Sequence, residues 1–178
     1  MHDQVLTFWF TELTSEQWFK KDPVLDDLIK TRYGQLHHQA QQGELYKWRE
    51  SPEGSLAEVI VLDQFSRNIY RDKAASFASD GLALCLAQVA IEKGFDVLLS
   101  KAQRSFCYMP FMHSESLVIH EQALALFNAL GDENNLTFER KHQAIIQRFG
   151  RYPHRNNVLG RQSTLEERLF LNQPDSSF

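Results

Sequence analysis

The spacing of apolar residues predicts helices along almost the whole chain, and no segment shows the alternation and β-branched enrichment of a strand. Helix starts are indicated by capping residues followed by Pro or an acid, and four of the predicted helices end near a glycine. The predicted helices cover residues 5–10, 24 to about 43, 51–65, 79–94, 102–109, 114–131 and 138–150, with a short last helix from 164. We therefore expect an all-α fold without a sheet, in a single helical domain of residues 1–178.

Two further features shape this prediction. Pro110 follows an apolar stretch, and a proline that lacks the backbone N–H is expected to break or restart the helix there. His113, Ser114 and Glu115 would then lie in the first turn of the next helix, where Ser114 could cap it and Glu115 could complement its dipole. Residues 83–94 and 123–131 have a similar pattern of small residues, an apolar end and glycine, roughly 40 residues apart. This favours antiparallel helix hairpins packed as in a helical-repeat array.

Composition narrows the class of protein. The net charge of −4 and the pI near 6.0 argue against nonspecific binding of nucleic acid, which needs a basic surface. The N-terminal segment lacks a basic region followed by a long apolar stretch, and no apolar run approaches the ~20 residues of a membrane span. We therefore expect a cytoplasmic protein with no membrane partner. Cys85 and Cys107 have no CxxC spacing and lie among apolar residues, which predicts buried, reduced thiols.

The helix that begins at residue 51 becomes polar at its far end. Residues 59–62 are apolar on every side, but Asp63, Gln64, Arg67 and Asn68 follow within two turns. Buried charge is costly unless it is paired, so one interpretation is an Asp63–Arg67 pair that fixes the helix end. The other interpretation is a polar pocket at that end.

A second polar feature is the arginine-rich segment 148–161. Arg148, Arg151, Arg155 and Arg161 lie within fourteen residues together with His154 and Asn156, whereas residues 105–138 contain acids but neither Lys nor Arg. The basic segment could pair with the acidic one. Alternatively, it could form an anion site, because the arginine fork binds carboxylate or phosphate through two hydrogen bonds.

The histidines add two hypotheses of unequal weight. His113 or His154 could act as a general acid or base with Glu115 as its orienting partner, although a histidine near a helix start is more often a packing residue. A metal site built from His113, Glu115, His142 and His154 is the weaker hypothesis, because these spacings match no standard zinc or iron signature. We expect neither a metal nor a cofactor.

Three motifs together resemble a known family. LDQFSRN at 62–68, YMPFMHSE at 108–115, and RFGRYPHRN at 148–156 with LGR at 159–161 are similar to the bacterial domain-of-unknown-function family DUF924. The similarity extends from residues 5–10 to residues 169–171. It implies an all-α fold like that of tetratricopeptide (TPR) repeats, and no reaction, cofactor or partner. The chain departs from the family at Ser66, where relatives commonly have Pro, and at His120, where they often have Gln.

Two function hypotheses remain from the sequence, and whether the protein is an enzyme stays open. The first is a polar pocket for a small anionic ligand, a carboxylate or a phosphate, that could be catalytic. It assigns catalytic roles to His113, Glu115 and His154, and ligand-binding roles to Asp63, Gln64, Arg67, Asn68, Arg148, Arg151, Arg155, Asn156 and Arg161. The alternative is a TPR-like module that binds a protein or peptide, in which the same Arg, His and Asp side chains form a buried structural network.

Overall fold

Residues 1–174 and residue 176 are described by a computed structural model, and they form helices and connecting turns without a strand. The α-helices are α1 (His2–Thr7), α2 (Ser15–Phe19), α3 (Pro23–Gln41), α4 (Pro52–Ile60), α5 (Ser66–Ile69), α6 (Asp80–Glu92), α7 (Lys101–Met112), α8 (Leu117–Leu130), α9 (Glu133–Phe149) and α10 (Leu165–Leu171). Two π-helical turns, Phe8–Glu12 and Val61–Phe65, continue α1 and α4. Short 3₁₀ turns lie at Tyr46–Glu50, Ala74–Phe77, Asp96–Leu98 and Pro153–Arg155. The all-α prediction is confirmed.

Local capping explains where several helices begin. The Asp22 carboxylate accepts hydrogen bonds from the backbone N–H groups of residues 24 and 25, and the Ser51 hydroxyl accepts one from residue 54. Asp132 caps α9 in the same way, so this helix begins five residues earlier than its apolar pattern indicates. Gly131 and Gly150 adopt the left-handed conformation directly after α8 and α9, as expected for helix ends.

The predicted break at Pro110 is wrong. Pro110 lies inside α7, which continues to Met112. A proline this close to the end of a helix removes one hydrogen bond, while Phe106, Met109 and Phe111 are all buried by the continuous helix. His113, Ser114 and Glu115 consequently lie in the connection between α7 and α8 rather than in the first turn of α8, whose N-cap position is residue 116.

The chain divides into two compact units, which are described separately. Unit 1 comprises Met1–Arg71 and Ala75–Pro110, and unit 2 comprises Asp72–Ala74 and the chain from Phe111 onward. In unit 1, α4 and its π turn form the centre of the core, since every residue from 56 to 63 is buried, and α1, α6 and Tyr46–Glu50 pack against α4. This confirms that the helix beginning near residue 51 is buried on all sides. The expectation of a single domain stays a prediction.

In unit 2, α8 packs against α9, and α10 packs against the turn Pro153–Arg155. Tyr152 is fully buried against Ile145 and Ile146, with Phe149 and Phe170 at the edge of this cluster. The segment after α9 is therefore held in place by one large aromatic side chain. The TPR-like packing of helix hairpins stays a prediction.

Two expectations from composition need correction. Cys107 is buried, but Cys85 is exposed because it lies on the outer side of α6, opposite the buried Ala83 and Ala87. Among the described residues, Ala74–Glu92 is long and apolar enough to cross a membrane, contrary to the expectation that no run approaches that length. This is weak evidence for a span, since the core helix of a soluble protein passes the same test.

Candidate functional site

In unit 1, the π turn places Asp63 and Arg67 in an ion-pair network. Asp63 is fully buried, its carboxylate lies 3.0 Å from Arg67, and its backbone carbonyl accepts a second hydrogen bond from the same guanidinium. Arg67 also donates two hydrogen bonds to Asp80 at the start of α6, at 3.1 and 3.2 Å. The predicted Asp63–Arg67 pair is confirmed, and Asp80 extends it to a second helix.

The neighbouring polar residues of this motif are engaged in the same way. Gln64 donates from Nε2 to the Asp63 carboxylate and to the Met109 sulfur. Asn68 donates from Nδ2 to Asp26 of α3. These bonds cross-link α3, α5 and α7, so they account for the buried polar groups of the motif without a ligand.

In unit 2, Glu115 and Arg161 form a two-pronged ion pair. Their four terminal atoms meet at 2.7 and 2.9 Å, and Glu115 also accepts the backbone N–H of Tyr152. Arg161 Nε donates to Asn156, whose own Nδ2 donates to Ser163. Burial opposes ionisation of Glu115, but these bonds, with the charges of Arg161 and Arg155, lower its pKa below the ordinary value. Glu115 is thus a structural anion that ties the α7–α8 connection to the segment after α9.

Two other arginines of the segment bind acids in α10. Arg151 meets Glu167 through two hydrogen bonds of 2.7 and 2.9 Å, and this bonding lowers the pKa of Glu167 to about 2. Arg148 meets Glu166 at 2.8 Å in an exposed pair. The predicted pairing with the acidic segment 105–138 therefore holds for Arg161, whereas Arg148 and Arg151 serve to attach α10.

Arg155 and His154, together with His142, lie around the ring of Tyr152, and His113 is joined to them through Arg155. The Arg155 guanidinium lies 4.5 Å from the ring centroid and donates to the backbone carbonyl of His113 at 3.1 Å. The imidazoles of His154 and His142 lie 5.5 and 5.7 Å from the same centroid. His113 and His154 are half-buried, and Nδ1 of His154 is itself buried. We call Tyr152, Arg155, His113, His142 and His154 the Tyr152 cluster.

The electrostatics of the Tyr152 cluster are unusual. Burial lowers the pKa of His142 to about 3, and repulsion by His113, His120 and His154 adds to this effect. A hydrogen bond to the Phe138 carbonyl opposes the shift only in part. His142 is therefore neutral at physiological pH. The repulsion shows that three further imidazoles stand close enough to His142 to disfavour its protonation.

A fully buried histidine–glutamate pair lies next to Tyr152. His120 Nδ1 is 2.7 Å from Glu139 Oε1, and both side chains are 0% exposed. His120 Nε2 lies 2.9 Å from the Ser114 carbonyl and 3.1 Å from the Tyr152 hydroxyl, which itself donates to the Met112 carbonyl. Burial raises the pKa of Glu139, and the bond to His120 opposes that rise.

The sequence alone missed the centre of this arrangement. Tyr152 is part of a motif without an assigned role, His142 enters only as a metal ligand, and Glu139 has no predicted role. Tyr152 lies directly before the Pro-His-Arg run, which is a usable signal for an anchoring aromatic residue. Neither Glu139 nor His120 has a signal in the spacing, because the two residues come from different helices. Among the described residues, no group of three or more His, Cys, Asp or Glu side chains could hold a metal ion.

Comparisons with known proteins place the chain in a family but assign no activity. The model of a family described as a bacterial protein of unknown function, DUF924, matches residues 5–175. The solved structure of a protein of unknown function from Agrobacterium tumefaciens is similar over 96% of both chains, with 38% identity and a TM-score of 0.92. No curated protein matches the chain. This chain belongs to the DUF924 family of bacterial proteins of unknown function.

Proposed function

We propose that the Tyr152 cluster in unit 2 binds a small anion, a carboxylate or a phosphate. The observation that carries the proposal is the convergence of one permanent cation, Arg155, and two imidazoles, His142 and His154, on one aromatic ring, with His113 close enough to repel a positive charge on His142. Groups that are cationic, or become cationic on protonation, repel one another, and a bound anion would relieve that repulsion. Burial strengthens the effect, because the dielectric screening is weaker away from water.

The proposed site is smaller than the sequence indicated. Arg148, Arg151 and Arg161 bind carboxylates of the protein itself, and Glu115 serves as one of those carboxylates. In unit 1, Asp63, Gln64, Arg67 and Asn68 bind one another and two further aspartates. We assign these residues a structural role. The ligand-contacting residues of the proposal are His113, His154 and Arg155, with His154 or His113 as the general acid or base if the site is catalytic.

The experiment is a thermal-shift titration with phosphate, sulfate, acetate and citrate at constant ionic strength, at pH 6 and pH 8. An anion that binds the Tyr152 cluster should raise the melting temperature, with a larger shift at pH 6. An anion binds more tightly to a site whose imidazoles are protonated, and protonation is favoured at the lower pH. His154→Gln and Arg155→Gln should each reduce the shift by more than half.

Two matched controls separate binding from general charge effects. Arg148→Gln removes the same charge as Arg155→Gln from an exposed ion pair, and His38→Gln replaces an exposed histidine of unit 1. Both should leave the anion-dependent shift intact. No shift with any anion, or equal shifts in the site variants and the controls, would contradict the proposal and favour the protein- or peptide-binding module as the working hypothesis.

A further inference from the structure

The buried His120–Glu139 pair is more constrained than an ordinary ion pair. The Ser114 carbonyl can only accept a hydrogen bond, so His120 Nε2 carries a hydrogen. The Tyr152 hydroxyl donates its own hydrogen to the Met112 carbonyl, so its oxygen can only accept a hydrogen bond from His120. The tautomer of His120 is thereby determined, and a single proton remains to be placed between Nδ1 and Glu139 Oε1, which are 2.7 Å apart.

The surroundings decide which atom holds that proton. If it sits on Nδ1, the pair is an imidazolium and a carboxylate; if it sits on Oε1, both members are neutral. Glu139 Oε2 is buried and accepts no hydrogen bond from the described residues. A buried carboxylate oxygen without a donor is costly, whereas the carbonyl oxygen of a neutral acid is much less so.

The neighbouring charges point the same way. The titratable and charged groups near the pair are His142 on α9, His113 and Glu115 in the α7–α8 connection, and His154 and Arg155 after Tyr152. Glu115 is an anion, but Arg161 neutralises it through two hydrogen bonds. Each of the other groups is positive when it is charged. His120, rather than Glu139, is the member that contacts Tyr152, so a positive charge on His120 would lie on the side of the Arg155 guanidinium, which stacks on the same ring.

We propose that Glu139 is a protonated carboxylic acid at neutral pH, that it donates to Nδ1 of a neutral His120, and that this pair positions Tyr152 for the anion site. The first two parts stand on the hydrogen-bond geometry, and the third rests on the proposed function. Because Nδ1 is held as an acceptor, Nε2 always presents its hydrogen to Ser114 and Tyr152. His120 and Glu139 are therefore positioning residues: they fix the ring on which Arg155 stacks.

The test of the proton assignment is Glu139→Gln, compared with Glu58→Gln. The amide that Glu139→Gln introduces can donate to Nδ1 as the acid does, and the amide carbonyl replaces Oε2. Glu58 is an equally buried glutamate, but its partner is Arg49, which cannot lose its proton. At pH 7 we expect Glu139→Gln to melt within about 2 °C of the wild type and Glu58→Gln to melt at least about 5 °C lower. Equal losses in the two variants would overturn the assignment.

NMR spectroscopy tests the proton assignment even if Glu139→Gln fails to fold. Long-range ¹H–¹⁵N NMR distinguishes a neutral imidazole, with one protonated and one bare nitrogen, from an imidazolium with two protonated nitrogens. We expect a bare Nδ1 at His120 between pH 6 and pH 8, with the signal assigned by its absence in His120→Gln. An imidazolium signal across this range would refute the proposal regardless of the melting temperatures.

The positioning role is tested by phosphate binding. Glu139→Ala should weaken the phosphate-dependent thermal shift strongly, and Glu139→Gln should restore it together with the pH profile of the wild type. Failure of Glu139→Gln to restore the shift in a folded protein would refute the positioning role. If phosphate does not shift the melting temperature of the wild type, both the proposed function with phosphate as the probe and the positioning role are refuted. The proton assignment is still tested by NMR and by the two melting temperatures.

Discussion

His37 in unit 1 makes the stability of this protein depend on pH in a calculable way. His37 is fully buried, and its Nε2 lies 2.7 Å from the Ser66 hydroxyl. Ser66 donates its own hydrogen to the Leu62 carbonyl, so His37 must donate from Nε2, and Nδ1 is left as a buried acceptor without a partner among the described residues. Burial, followed by repulsion from His38, lowers the pKa of His37 to about 4.

The sign of the effect follows from linkage. In the unfolded chain a histidine has its ordinary pKa of about 6.5. Between about pH 6.5 and pH 4 the imidazole is therefore protonated in the unfolded state but not in the folded state. Stability is therefore retained above about pH 6.5 and is lost as the pH falls. The loss is about 2 kcal/mol at pH 5 and about 3 kcal/mol once the pH is below the folded-state value, at roughly 1.4 kcal/mol per pKa unit.

The assay is urea denaturation of the wild type and His37→Gln at pH 7, 6 and 5. The amide introduced by His37→Gln can donate to Ser66 but does not titrate. Trp9, Trp18 and Trp48 all belong to unit 1, so tryptophan fluorescence reports the unfolding of that unit. We expect the free energy of unfolding to fall between pH 7 and pH 5 by about 2 kcal/mol more in the wild type than in His37→Gln. All other titrating groups cancel in this difference.

His38→Gln is the matched control, since it changes the adjacent exposed histidine. It should keep most of the wild-type fall in stability, because burial rather than repulsion from His38 is the larger cause of the low pKa of His37. Parallel profiles for the wild type and His37→Gln would refute the reasoning, because they would mean that His37 takes up its proton equally well in the folded protein.

Two further predictions concern stability alone. Arg161→Ala should lower the free energy of unfolding by about 2 kcal/mol, because it leaves the half-buried Glu115 without its partner. Arg148→Ala removes an arginine from an exposed pair and should lower it by less than about 1 kcal/mol. Chemical denaturation followed by circular dichroism measures both losses, and equal losses would contradict the assignment. Gly54→Ala should destabilise, because a Cβ there would collide with the Trp48 carbonyl, whereas Gly34→Ala, with open space around its Cβ in α3, should stabilise by about 0.5–1 kcal/mol; melting temperatures that move in the same direction would contradict this pair of predictions.

The features of the fold that the sequence predicted are those with local causes. Asp22 and Ser51 start helices because each side chain caps an N–H group two or three residues away, and such signals can be read directly from the sequence. Pro110 misled the prediction because its local penalty is one hydrogen bond, while the burial of Phe106 and Phe111 depends on neighbours that are distant in sequence. Tertiary packing outweighed the local signal there.

The candidate site could be predicted only in part for the same reason. The sequence located the segments that carry the arginines, but an arginine in a motif is consistent with either a ligand or an internal acid as its partner. The partners of Arg151 and Arg161 lie 16 and 46 residues away, and Glu139 lies 19 residues from His120. No spacing rule connects residues at these separations, so the sequence could not identify the carboxylate partners of these arginines.

The arginine-rich segment therefore has two roles that follow its order in the chain. Its outer members, Arg148, Arg151 and Arg161, hold α10 and the α7–α8 connection through carboxylates. Its inner run, His154 and Arg155, lies against the ring of Tyr152. If the outer pairs stabilise the fold and the inner run binds the ligand, substitutions at the two sets of positions should have different effects. Those at the ends should change stability in proportion to burial while leaving anion affinity intact, and those in the middle should change affinity and its pH dependence in a protein that still folds.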